Sequence, residues 1–108
     1  ALSGIYTAHY GFDGYMDGLV YENSPPDFLQ QMPADHPWMQ AYRERKIIFC
    51  VGQGCWEEDL LWSTREMDRI LKEKGVNNAW FDYWGFDVDH DWPFWRRQMP
   101  YFVDKLLQ

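Results

Sequence analysis

The sequence predicts an α/β fold of two to three parallel strands with flanking helices, and three observations carry that prediction. Ile47-Ile48-Phe49-Cys50-Val51 is continuously apolar and closes on Gly52-Gln53-Gly54, the pattern of a strand covered on both faces, as in a parallel sheet. Trp56, Leu60, Leu61, Thr64, Met67, Ile70 and Leu71 then recur at helical spacing. A second strand candidate, Ala79-Trp80-Phe81-Asp82-Tyr83-Trp84, begins within four residues of Gly75. Strand, helix and strand in that order form a βαβ unit with the usual right-handed crossover.

The remaining elements follow in chain order. Gly11, Gly14, Gly18, Pro25, Pro26, Pro33 and Pro37 punctuate the first 46 residues into turns and short helices, such as Pro26 to Gln31 and Pro37 to Arg43. Only the stub Ala1-Leu2-Ser3 precedes this excursion. The central helix carries Glu57, Glu58 and Asp59 in its first turn, Lys72 and Lys74 in its last, and Gly75 as its stop. That distribution of charge suits the helix dipole. From Trp92 to Leu107 a final helix is expected, with Pro93 in its first turn and an apolar stripe of Trp95, Met99, Phe102, Val103 and Leu106. Pro100 inside it predicts a kink or a break. A parallel sheet this small leaves both edges open, so a homo-oligomer formed through the exposed sheet edge is expected.

Composition narrows the function classes. Aromatic residues make up 19% of the chain, including seven Trp, which argues for a packed domain and against disorder. A formal net charge of -7, with the ten Lys and Arg scattered apart from Arg43, Arg45 and Lys46, disfavours nucleic acid and anionic membranes as partners. No apolar run approaches the roughly 18 residues of a membrane span, and Ala1-Leu2-Ser3-Gly4 lacks signal-peptide character. Cys50 and Cys55 read as free thiols, which suits a cytoplasmic setting.

Three motif candidates are set aside on chemical grounds. Gly52-Gln53-Gly54 would begin a dinucleotide turn, but the last glycine position falls on Glu57, and Glu57, Glu58 and Asp59 would repel a pyrophosphate. Cys55 at a strand-to-helix turn faces the same three carboxylates, which oppose thiolate formation. Asp87-Val88-Asp89-His90-Asp91 offers hard-metal ligands, but Trp92 and Gln98 stand where a calcium loop needs Gly and Glu. No cofactor and no metal are therefore expected, and His9 and His36 read as turn or surface residues.

His90 is the more informative residue, because it follows the second strand at the carboxyl end of the sheet, where open α/β sheets place their ligands. The segment His90-Asp91-Trp92-Pro93-Phe94-Trp95-Arg96-Arg97, with Pro100 and Phe102 beyond it, resembles the H-x-W-x-x-W segment of the putative-esterase branch of α/β-hydrolases. That branch includes feruloyl esterases, enterochelin esterases, S-formylglutathione hydrolases and mycolyltransferases. Val51 to Glu58, with Arg65, Leu71 and Gly75, is similar to the family's strand, acid turn and helix. Leu2-Ser3-Gly4 is similar to its preceding strand end.

The resemblance implies that residues 1–108 are the C-terminal part of a hydrolase domain holding the last two members of a triad ordered Ser, acid, His. By that likeness His90 is the base and Glu58 the orienting acid, with Glu57 as the alternative; spacing back from Arg65 and Gly75 favours Glu58. The nucleophile is missing, since Ser3, Ser24 and Ser63 all lie outside any G-x-S-x-G. A small ester substrate is expected only for a full-length form, and the chain alone is expected to be inactive. The rival expectation is a non-catalytic interaction module with a tryptophan-rich binding face, derived from a hydrolase.

Overall fold

A computed structural model describes residues 1–108. Four short helices open the chain, α1 His9–Phe12, α2 Gly18–Glu22, α3 Pro25–Gln31 and α4 Pro37–Arg43. Then come β1 Ile47–Val51, α5 Glu58–Glu73, β2 Ala79–Tyr83 and α6 Trp92–Leu106. The two strands pair in parallel, Ile47 against Ala79 through to Val51 against Tyr83, with α5 as the crossover. This is a small α/β fold. On the other side of β1, Leu2 forms a parallel bridge with Cys50. Ser3 N–H donates to the Cys50 carbonyl at 2.8 Å, and Cys50 N–H to that of Ala1 at 2.9 Å. Residues 1–3 therefore lie beside β1 as the stub of a third strand.

Side-chain alternation along the strands sorts the layers. Ile47, Phe49, Ala79 and Phe81 face α3, α4 and α5 and close over the buried cluster Leu29, Met39, Met67, Ile70, Leu71 and Val76. Phe49 and Phe81 stack at 4.7 Å across the register. The opposite face receives α6, whose Phe102 meets Trp80 at 5.4 Å edge to face. One helix layer on each side of so narrow a sheet leaves a body 37 × 37 × 19 Å. Only Cys50 and Val51 of β1 are buried, while Ile47 to Phe49 remain half-buried. The expected full cover on both faces is thus met only at the carboxyl end of β1. No helix is long and apolar enough to cross a membrane.

Three local expectations change: of the expected α6 stripe Phe102 is buried, but Met99, Val103 and Leu106 are exposed. Pro100 does not break α6, which runs from Trp92 to Leu106. Proline there removes the bond to the Arg96 carbonyl, but Pro100 and Arg96 are both exposed, so water can satisfy the freed group. Trp56 is not part of the buried helical stripe. It adopts φ +64° and is 87% exposed, whereas Glu57 beside it is 0% exposed. The left-handed turn at Trp56 sends the indole outward and the next carboxylate inward.

Candidate active site

Two loops leave the carboxyl ends of the strands, residues 52–57 after β1 and 84–91 after β2, and hydrogen bonds zip them together. Trp84 N–H donates to the Val51 carbonyl at 2.8 Å, Gln53 N–H to Gly85 at 3.1 Å and Gly54 N–H to Val88 at 2.9 Å. Cys55 N–H donates to Asp89 Oδ1 at 2.7 Å, and His90 N–H to the Cys55 carbonyl at 2.9 Å. So close an approach explains the glycines. A Cβ at Gly52 would collide with the Val88 carbonyl oxygen, and one at Gly54 with Asp89 Oδ1 and the carbonyls of Val88 and Phe86. Gly52 and Gly54 let the histidine loop dock on the acid loop, a role for this motif that sequence reading missed.

Docking brings His90 Nδ1 to 3.3 Å from Glu57 Oε2. The Glu57 carboxylate is fully buried, while the imidazole is 36% exposed. Glu57 Oε1 accepts the Ser3 hydroxyl at 2.7 Å and the Gly52 N–H at 3.3 Å. A carboxylate, when ionised, only accepts, so it favours a proton on Nδ1; a neutral imidazole in that tautomer keeps its lone pair on Nε2. Glu58, which spacing favoured, lies in the first turn of α5 and is exposed. The structure thus pairs Glu57, not Glu58, with His90. The physical reason is the left-handed Trp56: a turn counted without it places the wrong glutamate inward.

The aromatic residues of the histidine segment have visible structural tasks. Asp91 caps α6 by accepting the Trp92 N–H at 2.7 Å. Trp95 sets its ring edge to face against His90 at 4.7 Å, and Trp92 packs on Trp95 at 5.3 Å. Trp95 Nε1–H also donates to Ser3 Oγ at 3.3 Å. Ser3 and Trp95 therefore join the site as residues that spacing did not single out for it. Of the other histidines, His9 contacts Asp27 at 3.3 Å and His36 caps α4, both away from His90.

An open cleft of about 1070 Å³ adjoins the pair, walled by Tyr10, Trp56 and Phe86 with Cys55, Asp89 and His90. Cys55 is exposed and Cys50 buried, and neither is bridged. Burial foremost, then the negative charges of Asp82 and Glu57, push the Cys50 thiol up to about 12. Cys50 is therefore a neutral core thiol. Chemically, the cleft can present an oriented imidazole base to a bound molecule. Comparison of the chain with protein-family models, curated proteins and solved structures gives no match.

Proposed function

We propose that this chain carries the base and acid of a serine-type carboxylic ester hydrolase within a partial α/β-hydrolase fold, the serine being supplied from outside these 108 residues. The observation that carries the reading is the contact of the buried Glu57 carboxylate with His90 Nδ1 at 3.3 Å, beyond the carboxyl ends of parallel strands. Acid before histidine is also the chain order of α/β-hydrolases. In the reaction His90 Nε2 takes the proton of the serine hydroxyl as its oxygen attacks the ester carbonyl, then returns it to the departing alcohol. Water repeats the sequence on the acyl-serine, restoring the serine and releasing the acid. Glu57 holds the Nδ1–H tautomer and stabilises the imidazolium in each half. The aromatic cleft beside His90 offers room for the acyl or alcohol group.

The test joins the chain to the nucleophile-bearing half of an α/β-fold serine esterase and follows p-nitrophenyl acetate hydrolysis. Turnover lost in His90→Ala and reduced at least about 100-fold in Glu57→Gln is expected, since orienting acids contribute up to roughly ten-thousand-fold. A folded chimaera whose activity ignores His90 would overturn the reading. Without that half the chain should show no His90-dependent turnover; if it does, the nucleophile lies within it. Exposed Trp38, Trp56, Trp62 and Trp92 favour a second reading, a non-catalytic interaction module. They sit at four separate places along the chain, and the second reading gains if the chimaera stays inactive.

A further inference from the structure

We infer that Ser3 is a positioning residue whose hydroxyl locks the Glu57 carboxylate so that Oε2 is presented to His90. This role rests on the reading of His90 and Glu57 as base and acid. Ser3 is buried, at 7% exposure, and its backbone is tied to β1 by the 2.8 Å bond to the Cys50 carbonyl. It holds φ +47°, a left-handed conformation that disfavours a residue with a Cβ and that glycine adopts freely. A side chain kept at such a position in the core points to a task for its hydroxyl.

That task is legible in the bonding. A serine hydroxyl has one proton to give and lone pairs to receive. The proton goes to Glu57 Oε1 at 2.7 Å, and the oxygen receives Trp95 Nε1–H at 3.3 Å. The same Trp95 ring packs edge to face against His90 at 4.7 Å, so His90, Glu57, Ser3 and Trp95 close a ring of contacts. Without the hydroxyl, Glu57 Oε1 keeps only the 3.3 Å bond from Gly52 N–H, and the carboxylate is free to turn away from the imidazole. The carboxylate stands between Ser3 and His90, so the Ser3 proton is directed to the acid and not to the base. Ser3 therefore orients the pair and is not its nucleophile.

The test is the tautomer of neutral His90, read by 15N NMR on histidine-labelled protein, in wild type, Ser3→Ala and Ser3→Gly. Wild type should be mainly Nδ1–H. Both variants should lower the Nδ1–H to Nε2–H ratio about five-fold, the factor that one ordinary hydrogen bond represents. Ser3→Gly relaxes the backbone at φ +47°, so it keeps the fold should Ser3→Ala lose it. A wild-type ratio in either folded variant would overturn the role of the hydroxyl. Failure of the underlying pair looks different: Glu57→Gln would leave the ratio unchanged, or wild type would show no Nδ1–H preference. Either result overturns the role of Ser3 as well.

Discussion

Gly54→Ala is the sharpest probe of how the site is built. Its new Cβ would meet the Val88 carbonyl oxygen at 2.8 Å and that of Phe86 at 2.9 Å, besides colliding with Asp89 Oδ1. Two of these three atoms are backbone, so no rotamer change relieves the contact and residues 86–90 must move away. Their departure breaks Gly54 N–H to Val88, His90 N–H to Cys55 and Cys55 N–H to Asp89 Oδ1. Two backbone bonds at about 1 kcal/mol each and one carboxylate bond at about 2 kcal/mol sum to about 4 kcal/mol if all are lost. Partial replacement by water makes a loss of about 2–4 kcal/mol the expected outcome in urea unfolding followed by circular dichroism. That is a large share of the roughly 5–15 kcal/mol that stabilises a domain of this length. The control is Gly18→Ala, where a Cβ meets nothing within 4 Å and the change should stay within about 0.5 kcal/mol. Coincident unfolding curves for Gly54→Ala and wild type would refute the close-approach argument.

The Cys50 thiol, raised from 9.0 to about 12, ionises in the unfolded chain before it does so in the folded one. Its stabilising contribution is therefore complete below pH 9.0 and declines as pH climbs towards about 12. In native protein near neutral pH a thiol reagent should label Cys55 alone, and in denaturant both cysteines; rapid native labelling of Cys50 would contradict its burial. Gln98 is fully buried and neither of its amide atoms has a partner, so Gln98→Met should raise stability by about 1–2 kcal/mol, and a loss in thermal or urea unfolding would show that the amide is satisfied. The outer edge of β2 has no strand partner; self-association through an open sheet edge, which we propose on that basis, should give twice the single-chain mass by light scattering on a sizing column, and a monomer at all concentrations would dismiss it.

The βαβ unit was legible because each of its signals is local. The apolar run of β1, the periodic face of α5 and the stop at Gly75, which adopts φ +75°, each reflect the preference of a short segment for one backbone state. His90 was legible for the same reason, since its place after β2 follows from element order alone.

Which carboxylate meets His90 was decided only in three dimensions. A left-handed residue at Trp56 rotates the chain so that Glu57 goes in and Glu58 stays out, and no pattern of residue types announces a positive φ at a tryptophan. Ser3 and Trp95 joined the site through a contact spanning 92 positions, which only the packing of α6 against the strand ends creates. Gly52 and Gly54 owe their meaning to Val88 and Asp89, a loop more than thirty residues away. The sequence by itself determined the elements and their order, because those depend on near neighbours. The tertiary structure decided the pairing of Glu57 with His90, because a hydrogen bond depends on where distant backbones bring their atoms.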